Sequence, residues 1–324
     1  MKRRSGISLI AFTISMAAPL LAPHSSSALI SVAELNARKA RQVHKASPSP
    51  SPSPIAVPVA AAAPEPAPSP HPFLVVLDPG HGGIDNGASF SRGHDAVFEK
   101  NVTLMLAHQV AAQLRNRGID VILTRDMDHE MPLAARTALA NKMGADVFIS
   151  LHMNSLPNKN EQLASGTETY ILNNANDDSS KRLAQLENML MAGEHEPQGV
   201  AQTGDVALIL KDLRLDANLP ESKRLACMIQ HQLVVAHSKA EGKVIPAKTD
   251  RGVRQALFFV LLGADMPSAL VEAGFLSNSK DRTWITSAAG QKTLGVAIAR
   301  AINLFRIQKN TPEARKTLNT CKVH

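Results

Sequence analysis

Four side chains in this sequence have the types and placement to do metal chemistry. His81 lies in Asp78-Pro79-Gly80-His81-Gly82-Gly83 and His152 in Ser150-Leu151-His152-Met153-Asn154-Ser155. Glu272 follows the apolar run Ala269-Leu270-Val271, and Glu99 opens the segment that begins Lys100-Asn101-Val102. Two histidines and one carboxylate are the ligand set of a catalytic zinc, which keeps a fourth position open for water. A second carboxylate outside the ligand set is what a zinc hydrolase needs as general base. Glycines at 80, 82 and 83 permit a tight backbone beneath the imidazole of His81. His94 competes as a ligand, five residues before Glu99.

Such groups converge only if strands and helices bring them to one edge. Phe73 to Leu77 is a continuous apolar run ending at Asp78-Pro79-Gly80, which predicts a buried strand and a turn. Val102, Leu106, Val110 and Leu114 recur every fourth residue, which predicts a helix over 100–117 stopped by Gly118. Strands are predicted over 119–123, 146–151, 167–172, 257–261 and 268–271, and a helix over 132–143. A last helix is capped by Ser287 and buries Leu294, Ile298, Ala301 and Phe305. Alternating strands and helices give an α/β fold, a mostly parallel twisted sheet with helices on both faces. Functional groups in such sheets gather outside the C-terminal strand ends, where His81, His152 and Glu272 fall. Glu99, at the start of the helix leaving the first strand, lies on the same side.

Composition narrows the field. Two Cys in 324 residues cannot build a Cys-rich zinc module, so any metal must use His and carboxylate ligands. Aromatics are 3% of the chain, too few for a base-stacking nucleic-acid platform, despite a net charge of +7. Seven basic residues against two acidic ones in 1–72 put +5 of that charge before the globular part. No phosphate-tracking stripe remains, and no nucleic-acid partner is expected.

Lys2, Arg3 and Arg4 precede an apolar stretch over 7–22 broken by Pro19, with Ser26 and Ala28 at a cleavage site. That layout predicts a secretory signal peptide over 1–28, by a general or twin-arginine route, and no retained membrane anchor. Residues 29–72 form a Pro-rich tether, semi-rigid where proline alternates over 47–72, with one short helix within 29–45. A single domain follows over 73–308, then a tail over 309–324.

The segments around His81, Glu99, Arg136, His152 and Glu272, the last continuing Ala273-Gly274-Phe275-Leu276-Ser277-Asn278, resemble those of zinc-dependent N-acetylmuramoyl-L-alanine amidases of the division type. The resemblance runs from Phe73 to Phe305 in motif order. It implies hydrolysis of the amide between N-acetylmuramic acid and L-alanine in peptidoglycan, during daughter-cell separation, by an exported periplasmic monomer. His81, Glu99 and His152 would hold Zn2+, and Glu272 would be the catalytic carboxylate. Asn154 and Arg136 would touch substrate, with a turn-stabilising Asn and an Arg paired on a helix face as the plainer alternatives. The loop from Ile84 to Phe98 exceeds the family's usual connection.

About fifty residues separate the fourth strand from a helix expected near Glu221, far more than an ordinary connection. Leu183, Leu186, Leu190 and Met191 form one apolar face in this insertion, over 172–221, and Val206 to Leu213 is also amphipathic. The resemblance implies a helix here that blocks the zinc and is displaced by an activator with a LytM-like domain. Glu187 is the candidate plug, with Glu194 and Glu196 as alternatives. Competing functions are a zinc peptidase cutting the stem peptide and a non-catalytic wall-binding protein. Cys227 and Cys321 can pair in an oxidising compartment.

Overall fold

The computed structural model describes residues 72–92, 95–156, 164–189, 205–240, 249–308, 321 and 323, with side chains in the 205–240 segment described only over 218–238. The signal peptide, the tether, His94, Glu194, Glu196, and the side chains of Leu190, Met191 and 206–213 lie outside the described residues.

Six strands form one sheet: β1 (Leu74–Pro79), β4 (Asp120–Leu123), β5 (Val147–Asn154), β6 (Thr167–Leu172), β7 (Asp250–Ala256) and β8 (Ser268–Phe275), in the order β4-β1-β5-β8-β6-β7. β4, β1, β5 and β8 run parallel; β6 and β7 run parallel to each other and antiparallel to the rest. The mostly parallel α/β sheet is therefore the observed fold, with one reversed pair.

Alternation along β1, β5 and β8 sorts their side chains between two faces. Val75, Leu77, Ile149, Leu151, Ala269 and Val271 point to a core covered by α1 (Glu99–Arg115), α4 (Asp205–Ala240) and α7 (Ala288–Gln308). Every apolar position expected for the first and last of these helices is buried, and Ser287 caps α7 by accepting from Gly290 N. Asp78, Ser150, His152 and Glu272 point the other way, where α2 (Leu133–Met143), α3 (Asp178–Met189) and the short α5 (Phe259–Leu262) lie. α6 (Ser279–Ile285) precedes α7.

Several sequence expectations are corrected. Residues 257–261 are not a strand: β7 ends at Ala256, and Phe259 begins a helical turn. Its Phe258 and Val260 are buried like strand residues, which is why the apolar run misleads. β5 and β8 reach Asn154 and Phe275, so His152 and Glu272 sit within strands rather than past their ends. α4 begins at Asp205 and passes through Pro220, so the helix expected near Glu221 starts well before it. The long loop before Glu99 holds a hairpin, β2 (Ser89–Arg92) and β3 (Asp95–Phe98).

Cys227 and Cys321 are disulfide-bonded, with Cα atoms 6.0 Å apart. Val323 then bridges Val253 in parallel, so the stapled tail extends the sheet edge at β7. Among the described residues, no helix is long and apolar enough to cross a membrane.

Candidate metal centre

β1 delivers His81 through a turn whose backbone is held from below. His81 is the one described non-glycine residue with positive φ, at 62°, a conformation costing about 1 kcal/mol. Two buried guanidiniums secure it. Arg136 donates to the carbonyls of Pro79, His81 and Met131 and pairs with Asp78 at 2.8 Å. Arg125 donates to the carbonyls of Pro79, Gly80, Met127 and Lys100. Asp78 also accepts from Thr124 and Ser150. Burial pushes the Asp78 carboxyl up, but Arg136 and these donors outweigh it and hold it below its usual value.

Glu99 opens α1, where the helix N-terminus favours negative charge. Its oxygens are fixed by backbone donors, Ala88 N at 2.8 Å and Met153 N at 2.9 Å. His152 approaches from β5 across Gly80, where an added Cβ would sit 2.4 Å from the imidazole; only glycine fits. Glu187 reaches in from α3. Its Oε2 lies 3.1 Å from His152 Nδ1 and 3.4 Å from His81 Nε2, while Glu99 lies 3.1 Å from each of the same nitrogens. One ligand atom from each of His81, Glu99, His152 and Glu187 falls within 4.8 Å of the others. Asp85 Oδ2 meets His81 Nδ1 at 2.8 Å, which orients the ring so that Nε2 faces the cluster.

The electrostatics call for a cation. Burial pushes the His81 imidazole down, but Glu99 and Asp85 dominate and raise it to about 10. Burial likewise opposes charge on His152, and Glu187 with Glu99 raises it well above its ordinary value. The carboxylates thus draw positive charge into a dry pocket, and a divalent ion satisfies the same donors. His/Glu donors without thiolate, four in number and converging, fit zinc.

Glu272 faces this cluster without belonging to it. It is the backbone partner of His152 on the adjacent strand, fully buried, and neither carboxylate oxygen has a hydrogen-bond partner. Burial, opposed by His152 and reinforced by Glu99, Glu187 and Glu168, raises its pKa well above the usual carboxylate value. Asn154 lies two residues beyond His152, buried, with Oδ1 unpartnered. Arg136, for which the sequence leaves both a substrate contact and a simple pairing open, spends its donors inside the protein, 3% exposed.

Sequence reasoning missed Asp78, Asp85 and Arg125. Arg125 had a signal, since it stands just beyond β4 at the same sheet edge. Asp85 had none, because its meeting with His81 depends on the fold of the 84–98 loop.

A sheet face that gathers two imidazoles and two carboxylates around one point, beside a carboxylate with nothing to bond, belongs to a mononuclear metallohydrolase. Residues 75–304 match the Amidase_3 family, described as N-acetylmuramoyl-L-alanine amidase, and the chain belongs to that family. It is 34% identical over 232 residues to the N-acetylmuramoyl-L-alanine amidase AmiA of Escherichia coli K12, covering 71% of this chain and 74% of that one. Among solved structures it is similar to AmiC2 of Nostoc punctiforme, at 29% identity and TM-score 0.50, covering 72% and 97% of the two chains. An amidase from Clostridium difficile 630 matches at 25% identity and TM-score 0.53, covering 74% and 100%. The protein is a zinc-dependent amidase that cleaves the bond between N-acetylmuramic acid and L-alanine in peptidoglycan.

Proposed function

We propose that His81, Glu99 and His152 hold the zinc, that Glu272 moves the proton of the reaction, and that Glu187 occupies the position substrate needs. Bound zinc supplies Lewis acidity towards the amide carbonyl and acidifies water. The reading of Glu272 rests on one observation: a fully buried carboxylate beside the cluster with both oxygens unpartnered. Such a group takes a proton from attacking water readily and returns it to the departing alanine nitrogen, which cannot leave unprotonated. Asn154 orients the substrate through its unpartnered Oδ1. Arg136 is a positioning residue, fixing the carbonyls of Pro79 and His81.

Glu187 is read as an autoinhibitory plug because one oxygen of its carboxylate lies 3.1 Å from His152 Nδ1 and 3.4 Å from His81 Nε2, near the 3.1 Å that the proposed ligand Glu99 keeps from each. Activity then requires a partner that draws α3 away, and a LytM-domain activator is the partner in this reading. The N-terminal signal layout and the disulfide support an exported, periplasmic protein; a monomer acting in daughter-cell separation completes the reading.

The decisive experiment is Glu272→Ala on purified peptidoglycan, with zinc content measured in parallel. Cleavage should fall by about 10²–10⁴-fold at unchanged zinc. Normal cleavage at normal zinc would overturn the assignment, and mass spectrometry of the released muropeptides identifies the bond cut.

A further inference from the structure

The last turn of α3 carries a second contact next to Glu187. Asn188 Nδ2 donates to the carbonyl of Leu257 at 2.8 Å, and the amide of Phe259 donates to Asn188 Oδ1 at 2.9 Å. One carboxamide thereby pairs with both main-chain groups flanking Phe258, as a neighbouring strand would. Asn and Gln are the side chains that can donate and accept in this way at once. The backbone it grips is anchored by Phe258, which is fully buried and forms a T-shaped ring pair with Tyr170, 5.1 Å between centroids.

Apart from the Glu187 carboxylate's own contacts with His81 and His152, little else described holds this end of the helix. Leu183 and Ala184 are buried one turn earlier, but Leu186 is 50% exposed. Glu187 reaches the metal cluster from a turn whose apolar grip has already run out. The hydrogen bonds of Asn188 fix the height and rotation of that turn, and with them where the Glu187 carboxylate falls.

We propose that Asn188 is the latch of α3: a positioning residue that seats Glu187 in the metal site through the Leu257–Phe259 backbone and sets how often the site opens. The functional consequence rests on the reading of Glu187 as the plug; the mechanical one does not. Two neutral hydrogen bonds of ordinary strength correspond to about a 5- to 30-fold shift between seated and released helix ends.

The test uses the full-length, zinc-loaded protein as wild type, Asn188→Ala, Asn188→Asp and Glu187→Ala. Three quantities are read: hydrogen exchange of amides 185–189, the rate of zinc transfer to a chromogenic chelator, and cleavage of purified peptidoglycan without any partner. Asn188→Ala should accelerate exchange and zinc transfer by about 5- to 30-fold and raise basal cleavage, whereas damage to the fold would lower cleavage. Asn188→Asp keeps the acceptor for the Phe259 amide but sets a carboxylate oxygen against the Leu257 carbonyl, so it should loosen the helix end no less than Asn188→Ala. Unchanged exchange and zinc transfer in Asn188→Ala overturn the latch, and if Glu187→Ala still raises cleavage, the plug reading survives it. If Asn188→Ala loosens the helix end while Glu187→Ala leaves cleavage unchanged, the latch stands and the plug reading falls.

Discussion

The turn after β1 and the last turn of α3 each deliver one side chain to the same point, and they are held there in opposite ways. Beneath His81, two buried guanidiniums and the Asp78 carboxylate tie down successive carbonyls. That network overrides an unfavourable backbone angle at His81. Beside Glu187, apart from the carboxylate's own contacts with His81 and His152, a single carboxamide and a half-exposed apolar face hold the turn. A ligand that must not move is anchored by charges buried out of water, where leaving one unpaired is costly. The turn that carries a group that must come away is anchored by neutral hydrogen bonds, which water replaces at small cost.

The largest way to break this contrast is to remove the charge beneath His81. Asp78→Asn leaves the Arg136 guanidinium buried without its counter-ion, which should cost about 3–5 kcal/mol and show as a lower melting temperature of the whole domain. The pH dependence has a definite sign. The Asp78 carboxyl is lowered in the folded protein, so its stabilisation is complete above the unfolded value of about 4 and fades as pH falls towards the folded one. Wild type and variant should therefore differ most near neutral pH and converge in acid. A constant gap across that range would mean that the turn is held by shape rather than charge.

The same contrast governs what could be read in advance. A continuous apolar run located β1, and periodicity located α1 and α7, because their buried positions pack on one continuous core. His81, Glu99, His152 and Glu272 were legible as a group because each falls on or next to such an element at one sheet edge. In sequence, Arg136 stays between a substrate contact and a simple pairing because nothing local reveals that its partner is Asp78, 58 residues away. The reversal of β6 and β7 was equally hidden, since alternation records which face a side chain takes and not which way its strand runs. Residues 257–261 defeated the period for a different reason: a short helical turn buries neighbouring residues as a strand does.

The disulfide offers a test of intermediate size, away from both regions. Cys227→Ser releases a crosslink spanning 94 residues and should lower stability by about 2–4 kcal/mol. Exchange in the last turn of α3 should stay near its wild-type rate under native conditions. Matching acceleration there would show that the helix end opens only with the whole domain, and the contrast would lose its meaning.

The smallest effect lies at the other end of α3. Asp177 precedes the helix and accepts from the amide of Ser180 at 2.9 Å, while Arg254 pairs with it at 3.2 Å and Ser180 is fully buried. Asp177→Ala removes this cap at a cost of about 1 kcal/mol, a roughly fivefold faster exchange of the first-turn amides. Eleven residues of helix separate Asp177 from Asn188, about 16 Å of rise, so the two contacts share no partner and their losses should add. Additive exchange in the double variant with Asn188→Ala, each end loosened by its own substitution, means that the last turn frays from a helix that stays docked at its start. If Asp177→Ala alone loosens amides 185–189 as much as it loosens the first turn, α3 leaves the sheet as one rigid piece. The cap would then regulate access to the metal as strongly as the latch does.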